Sequence, residues 1–362
     1  MHTRKQLISG LEEIQMQNEL LALARPEIVA MSAYRSARSE VAKGIVWLDA
    51  NENPWSDGLY NRYPEPQPYS LVSDLATLYG LKPDQLLVTR GSDEGIDLLV
   101  RLFCRAGQDQ ILICPPTYGM YKVAATIQGA AIVEVPLLKE QGFALNLAKM
   151  LEIWQPGIKL VFLCSPNNPT GNLLAVPDVL SLCKKLNNKS IIIVDEAYVE
   201  FSASDSLIKY LDDYPNLVVL RTLSKAYGLA GIRCGVTVAN PEIIQLLKKI
   251  IAPYPIPEPI VNIASNQLSL NLIEDQIKII YQERDRLFGF ISNLPFVKKV
   301  WKSNANFLLF EVSSSKKVMD ICLNNGIVLR DRSSEYNLNN CIRVTIGSPV
   351  ENTFFMEVLS RV

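Results

Sequence analysis

Short apolar runs alternate with helical stretches through the middle of the chain. Leu86–Thr89 and Gln110–Ile113 have the pattern of strands, and residues 93–103 between them have helical spacing after the turn Gly91-Ser92. Further apolar runs at 160–164, 191–194 and 217–220 continue the pattern. This alternation of strand, turn and helix predicts an α/β fold with a mainly parallel sheet.

Both ends of the chain have other patterns. Residues 11–31 carry apolar side chains at helical intervals, interrupted by Pro26, which predicts an arm that packs on another surface, with a second subunit as a candidate. Residues 45–49 predict a strand. A helix is expected near 242–251, before the proline-rich stretch 253–257. The C-terminal part beyond it predicts an α+β arrangement, with helices around 274–293 and strands near 297–312, 327–330 and 341–346.

Composition narrows the functional classes. The chain of 362 residues has 48% hydrophobic residues and a formal charge of -1, so it lacks a basic footprint for nucleic acid, and small molecules are the expected partners. Its apolar runs are too short to span a bilayer, and we expect a cytoplasmic protein. Seven cysteines without a C-x-x-C pair predict core residues in a reducing compartment. The single histidine, His2, lies at a terminus that is expected to fray, which excludes a Ser-His-Asp triad. One histidine cannot form a multi-histidine zinc site, and no metal site is expected.

The stretch from Ser224 to Arg233 carries the strongest chemical signal. It follows the predicted strand 217–220 and places Lys225 before the turn former Gly228. A lysine held against apolar walls beside the fixed charge of Arg233 loses its proton more readily and can condense with a carbonyl group. The pattern therefore favours a Schiff-base lysine, with a solvated surface lysine as the alternative for such a residue taken alone.

Other positions suggest a ligand site at the ends of strands. Asp195 ends the apolar run 191–194, and a buried carboxylate there needs a cation or donors, from a ligand or from a structural salt bridge. Ser92 begins a helix whose free N–H groups suit a phosphate, although Asp93 in the same turn is also explained as a partner of the helix dipole. A proline-punctuated loop carries Tyr63, which either reaches a ligand or packs on the prolines.

Three ordered motifs together resemble the fold-type-I pyridoxal-phosphate aminotransferases. They are Ser165-Pro166-Asn167-Asn168-Pro169-Thr170-Gly171, Asp195-Glu196-Ala197-Tyr198, and Ser224-Lys225 with Arg233 eight places on. Narrower phrases are similar to those of the histidinol-phosphate aminotransferase family and lie at 48–52, 62–65, 90–95 and 114–121.

The resemblance covers about residues 34–360 and implies the architecture. A large cofactor domain at 61–257 would hold a mainly parallel seven-stranded sheet between helices. Residues 258–362 would form a smaller α+β domain, and residues 1–60 the N-terminal arm and part of that small domain. The family also implies a homodimer with sites shared between subunits.

The resemblance implies a role for each residue of the cofactor site. Lys225 would hold pyridoxal 5′-phosphate as a Schiff base and shuttle the substrate proton, and Asp195 would pair with the pyridinium nitrogen. Asn168 and Tyr198 would hydrogen-bond the phenolic oxygen, and Tyr118 would stack on the ring. The phosphate would be bound by the backbone of Ser92 and Asp93, the hydroxyl of Thr222 or Ser224, Arg233, and Tyr63 of the partner subunit.

The implied activity is exchange of an amino group between L-histidinol phosphate and 2-oxoglutarate or glutamate in histidine biosynthesis, by ping-pong half-reactions with imidazole acetol phosphate as keto partner. Tyr34, Asn51, Arg330 and Arg343 would bind substrate, although Arg330 alone is also explained as a solvent-facing strand residue. An O-phospho-amino-acid decarboxylase or an aromatic amino acid aminotransferase of the same fold is the alternative. A non-catalytic regulator is disfavoured because residues before 34 leave no room for a DNA-binding domain.

Overall fold

The computed structural model describes residues 19–35, 46–55, 60–269 and 273–362. Seven strands of this part form one sheet: β1 (Leu86–Thr89), β2 (Gln110–Ile113), β3 (Ala131–Glu134), β4 (Ile158–Cys164), β5 (Ile191–Asp195), β6 (Leu217–Thr222) and β7 (Gly235–Ala239). Their order is β1-β7-β6-β5-β4-β2-β3. Strand β7 is antiparallel to both neighbours, and the pairs from β6 to β3 are parallel. The predicted mainly parallel α/β sheet is confirmed.

Helices cover both faces of this sheet. In β5, Ile191 and Ile193 belong to one apolar core, and Ile192 and Val194 belong to a second core. Because side chains alternate across a strand, a continuous apolar run of this kind is buried on both faces. The helices of this part are α1 (Pro26–Ala30), α2 (Tyr69–Tyr79), α3 (Ser92–Phe103), α4 (Met120–Gln128), α5 (Leu147–Glu152), α6 (Val176–Lys185) and α7 (Pro241–Ile250).

A second, antiparallel sheet lies in the C-terminal part. Its strands are β8 (Val297–Val300), β9 (Phe307–Val312), β10 (Arg330–Asp331) and β11 (Cys341–Thr345), in the order β10-β11-β9-β8. The accompanying helices are α8 (Glu258–Ser269), α9 (Ile273–Ser292), α10 (Ser315–Asn324) and α11 (Pro349–Leu359). Leu287, Phe310 and Phe355 belong to a separate apolar core of this part. The predicted smaller α+β part is confirmed, and its exact boundaries stay a prediction.

Two predicted strands are corrected. Residues 46–49 form no strand, and Ile45 lies outside the described residues. Val46 and Leu48 are 73% and 89% exposed, so neither side chain has the packed surface that a strand requires. In the stretch 327–330 only Arg330 is in a strand, because β10 is limited to its two-residue pairing with β11.

The described part of the N-terminal arm packs on its own chain. Leu20, Leu23 and Ile28 are buried in the core that contains Phe103. The backbone N–H of Arg25 donates to Leu102 O at 3.0 Å. The surface on which these residues pack is therefore that of their own chain. Packing of the arm on a second subunit stays a prediction, and residues 11–18 lie outside the described residues. Pro26 begins α1 because a proline at the first helical position lacks only an N–H that has no helical partner.

Among the described helices, none is both long and apolar enough to cross a membrane.

Candidate active site

One cavity at the carboxyl ends of β4, β5 and β6 collects the predicted cofactor residues. This is the edge of a parallel sheet at which ligands bind in α/β folds. The cavity is lined by Ser92, Asp93, Tyr118, Cys164, Asn168, Asp195, Ala197, Tyr198, Thr222, Ser224, Lys225 and Arg233. These include every residue predicted to bind the cofactor except Tyr63.

Lys225 reaches the cavity from the loop that follows β6. Its Nζ atom lies 5.5 Å from the ring centroid of Tyr198. Loss of solvation is the first cause that lowers the pKa of Lys225, and the positive charge of Arg343 is the second. Arg233 acts in the same direction but contributes less. The predicted effect of apolar surroundings on the pKa of Lys225 is therefore supported. The positive charge of Arg343 lowers this pKa more than that of Arg233, the arginine that the sequence analysis named.

The buried carboxylate of Asp195 is held by neutral donors. Its Oδ2 accepts from the Tyr121 hydroxyl at 2.7 Å, and its Oδ1 accepts from the Ala197 N–H at 3.1 Å. Burial raises the pKa of Asp195 to about 6, against the lowering effect of these hydrogen bonds. The sequence analysis offered a structural salt bridge as one possible partner of Asp195, and no such ion pair occurs within the described residues. A cationic ligand is therefore still the natural partner of this carboxylate.

Tyr121 is a site residue that the sequence analysis missed. It is fully buried in α4, and its ring stacks on Phe162 at 4.8 Å. Its signal was present, because Tyr118 and Tyr121 are three positions apart and therefore neighbours on one side of the chain as it enters a helix. Burial is the main reason that the pKa of Tyr121 lies well above its ordinary value, so the hydroxyl stays a donor.

A second region of the cavity has the chemical features of an anion-binding site. The amino end of α3 lies there, with Gly91 in a positive-φ conformation before Ser92. A Cβ atom at Gly91 would lie 2.7 Å from Nη2 of Arg233, so the glycine allows the guanidinium to approach the start of the helix. Arg233 also contacts Asp93 Oδ2 at 3.2 Å, and Tyr118 donates to Asp93 Oδ1 at 2.9 Å. Free helix N–H groups beside a guanidinium suit a phosphate.

Asn168 connects the cavity to the predicted substrate arginine. Its Nδ2 lies 3.4 Å from the hydroxyl of Tyr198, and its Oδ1 accepts from Arg343 Nη1 at 2.5 Å. The guanidinium of half-buried Arg343 lies 5.2 Å from the ring centroid of Phe307. Burial is the first cause that lowers its pKa, and the charges of Arg332 and Arg330 contribute.

Arg330 and Arg332 flank this position. Arg330 is exposed and faces Arg343 in the register of β10 and β11. Arg332, which the sequence analysis missed, is only 12% exposed in its side chain and forms an ion pair with Glu335. Three arginines thus lie within the paired strands β10 and β11 and the residue that follows β10, and anion binding by Arg330 and Arg343 stays a prediction.

Five predicted site residues are not among those that line this cavity: Arg330 and Arg343, described above, and Tyr63, Tyr34 and Asn51. Tyr63 is exposed, and its ring stacks on Tyr254 at 4.5 Å. Tyr34 is 72% exposed, and Asn51 is exposed with a φ of 54°. Their binding roles stay predictions.

The residues present fit pyridoxal phosphate. The buried, neutral-donor environment of Asp195 suits a protonated ring nitrogen, and the helix start with Arg233 suits a phosphate group. Lys225, which lines the same cavity, supplies an amine with a lowered pKa. The three chemical requirements of the cofactor are therefore met by three different parts of one cavity.

Comparisons with known proteins agree with this geometry. The family described as aminotransferase class I and II matches residues 32–359. Histidinol-phosphate aminotransferase of Aeromonas salmonicida is 47% identical over 335 residues, covering 90% of this chain and 93% of that protein. Histidinol-phosphate aminotransferase 1 of Pasteurella multocida is 43% identical over 350 residues, covering 94% of this chain and 99% of that protein.

A solved structure extends the comparison to the fold and the cofactor. The histidinol-phosphate aminotransferase of Sinorhizobium meliloti in complex with pyridoxal-5′-phosphate aligns with a TM-score of 0.76 and 26% identity, covering 83% of this chain and 82% of that one. Taken with the matched family and the cavity around Lys225, these similarities show that the chain belongs to the class I and II aminotransferases and, within them, to the histidinol-phosphate aminotransferase family.

Proposed function

We propose that this protein transfers the amino group of L-histidinol phosphate to 2-oxoglutarate, with imidazole acetol phosphate and glutamate as products. The observation that carries the proposal is that Lys225 and Asp195 line one cavity, and that Arg343 donates a hydrogen bond to Asn168, which lines the same cavity. An amine, a buried carboxylate and an anion-binding guanidinium are what such a transfer needs from the protein.

Pyridoxal phosphate, when bound, supplies the carbonyl group that accepts the amino group and the ring that withdraws electrons from the reacting carbon. Asp195 would hold a proton on the ring nitrogen, because its carboxylate lines the cavity and is fixed by Tyr121 and Ala197. Asn168 and Tyr198, which line the same cavity, would hydrogen-bond the phenolic oxygen. The phosphate group would be bound by Ser92, Asp93, Thr222, Ser224 and Arg233.

Lys225 moves the proton in this proposal. Its amine would hold the cofactor before substrate arrives. Once substrate has displaced it, the amine would take the proton from the substrate carbon that bears nitrogen and deliver it to C4′ of the cofactor. Because loss of solvation and Arg343 both lower its pKa, the free base that this task requires is easier to form than on a solvated lysine.

Arg343 is proposed to bind the anionic group of each substrate. Its fork of N–H donors suits the phosphate of histidinol phosphate and a carboxylate of glutamate. Because Arg343 contacts Asn168, an anion on its remaining donors lies beside the cavity that contains Lys225. Arg330 and Arg332 add positive charge nearby, which favours both substrates. Tyr34 and Asn51 are proposed to complete the substrate site.

We also propose a homodimer in which Tyr63 binds the phosphate in the partner subunit's cavity. Tyr63 lies outside the cavity of its own chain, and the neighbouring stretch exposes Leu48 and Trp55 at 89% and 86%. Exposed apolar side chains so close in sequence mark an interaction surface. Sedimentation should show two chains per particle.

A cytoplasmic location is proposed as well, supported by seven buried cysteines that are all free thiols.

The proposed function is tested by incubating the protein and pyridoxal phosphate with histidinol phosphate and 2-oxoglutarate. Glutamate should form in equal amount to imidazole acetol phosphate. Phenylalanine and tyrosine, tested as donors in parallel, should react much more slowly because they lack the phosphate for Arg343. Release of carbon dioxide from an O-phospho-amino acid, without glutamate formation, would contradict the proposal.

A further inference from the structure

A buried ion cluster lies directly behind the cavity, on the other face of β5 and β6. Asp195 and Thr222 line the cavity. Glu196 is the residue after Asp195, and Arg221 is the residue before Thr222. Side chains alternate across a strand, so Glu196 and Arg221 point away from the cavity. The two positions are adjacent, because Asp195 pairs with Leu220 in the register and the N–H of Glu196 donates to Leu220 O at 3.0 Å.

Arg221 is the centre of this cluster. Its Nη2 lies 2.6 Å from Glu200 Oε1, and its Nη1 lies 3.5 Å from Glu196 Oε2. The guanidinium also lies 4.6 Å from the ring centroid of Tyr79. The side chains of Arg221, Glu196 and Glu200 are 7%, 3% and 10% exposed. The charges are therefore almost completely removed from water.

Glu196 is fixed from its other side as well. Its Oε1 accepts from the N–H of Leu207 at 2.7 Å, and its Oε2 accepts from the hydroxyl of Ser206. Ser206 also accepts from Arg221 Nη1 at 3.3 Å. The carboxylate is thus tied both to the strand that precedes Lys225 and to the segment that follows Glu200, which restricts where the end of β5 can lie.

This cluster is poorly explained as a source of stability. One arginine faces two carboxylates, and Arg221 Nε, Glu200 Oε2 and Tyr79 Oη are buried atoms that make no hydrogen bond within the described part of the chain. Buried ion pairs can often be replaced by apolar side chains without loss of stability, and some are retained because they specify one geometry. Burial raises the pKa of Glu196, with Arg221 opposing, which is the sign of a costly position.

We propose that Glu196 and Arg221 are positioning residues for the amino-transfer site. They hold the end of β5 against the end of β6, and thereby fix Asp195 relative to Thr222 and to Lys225 three residues beyond. The cofactor contacts all three positions in the function proposed above, on which this inference rests. A small displacement between them would weaken cofactor binding and slow the reaction without removing any group that touches substrate.

Two variants test this role. Glu196→Gln keeps an acceptor for Leu207 and leaves Arg221 paired with Glu200, so the cluster becomes neutral and folding should survive. Arg221→Lys keeps the charge but loses the planar fork that reaches two carboxylates. Glu283→Gln is the matched control, because Glu283 is a buried glutamate that pairs with Arg286 at 2.8 Å in the small sheet's domain, away from the cavity.

Four quantities are measured for each variant: the dissociation constant of pyridoxal phosphate from the apoprotein, kcat and KM with histidinol phosphate, and the thermal midpoint. Both variants of the cluster should weaken cofactor binding and lower kcat by roughly tenfold or more, with KM within about twofold, because misplacement by about 1 Å is enough for large losses. Glu283→Gln should lower only the thermal midpoint.

The proposal is overturned if Glu196→Gln and Arg221→Lys lower the thermal midpoint as the control does but keep wild-type cofactor affinity and kcat. Failure of the proposed function gives a different result, since the wild-type protein would then form no glutamate. In that case the dissociation constants of the cofactor still decide whether the cluster positions the site.

Discussion

Replacing Tyr121 with phenylalanine tests how the buried carboxylate of Asp195 is stabilised. The substitution removes one oxygen, whose hydrogen bond to Asp195 Oδ2 measures 2.7 Å. A hydrogen bond to a charged group contributes about 1.5 to 3 kcal/mol, which corresponds to roughly one to two pKa units. Because Tyr121 is fully buried, water cannot replace the lost donor. We therefore expect the pKa of Asp195 to rise from about 6 to roughly 7 or 8 in the cofactor-free protein.

Proton linkage gives the sign of the effect on stability. An unfolded aspartate has a pKa of about 3.9, so between about pH 4 and pH 6 the folded protein binds more protons than the unfolded chain. Its stability therefore falls as the pH rises through this window. In Tyr121→Phe the window extends upward to roughly pH 8, and the variant should lose about 1.5 to 3 kcal/mol more than the wild type across that extension.

Urea unfolding of the cofactor-free proteins at about pH 5 and about pH 8 measures this difference. Tyr281→Phe is the matched control, since its hydroxyl donates to the carbonyl oxygens of Glu200 and Ser202 at 3.4 and 3.3 Å, which do not titrate. The control should lose the same free energy at both pH values. An equal loss at both values for Tyr121→Phe as well would refute the coupling to Asp195.

Four further substitutions, at three positions, test the assigned roles. Lys225→Ala should leave a folded protein that holds cofactor only noncovalently and has almost no turnover; borohydride reduction of the wild type and peptide mapping should place the label on residue 225, and a label on another lysine would contradict the role. Asp195→Asn should lower kcat by about a hundredfold or more while covalent attachment persists, and near-normal turnover would make Asp195 a structural residue. Arg343→Lys should slow both half-reactions together, and Arg343→Ala should lower kcat/KM for each substrate by roughly thirty-fold or more, since losing one partner of a charged pair costs about 2 to 5 kcal/mol. Single-substrate kinetics that show loss in only one half-reaction would assign the two anions to different residues.

The fold followed from sequence where local patterns determine it. The apolar runs at 160–164, 191–194 and 217–220 correspond to β4, β5 and β6, and the helix predicted at 93–103 is α3. The reversed direction of β7 had no comparable signal, because an apolar run does not encode its orientation in a sheet. The strand predicted at 45–49 was wrong because alternating apolar residues there remain exposed, which periodicity alone does not distinguish from a packed strand.

Site residues that lie within a sequence motif were predictable from the sequence. Contacts between residues far apart in the sequence were not. Lys225, Asp195 and Asn168 lie in quoted motifs and meet in one cavity. The effect of Arg343 on Lys225 depends on a fold that brings together residues far apart in sequence. The spacing of Tyr121 from Tyr118 could have marked it as a candidate, but its contact with Asp195 spans 74 residues and depends on the fold.

A single-turnover experiment tests the central claim most directly. The cofactor-loaded protein is mixed with histidinol phosphate alone, and the imidazole acetol phosphate formed is counted per subunit before and after 2-oxoglutarate is added. One equivalent should form at first, because Lys225 and Arg343 complete a half-reaction without a second substrate, and turnover with glutamate release should follow the addition. No product in the first stage, or continuing turnover without 2-oxoglutarate, would contradict an amino transfer through this cavity.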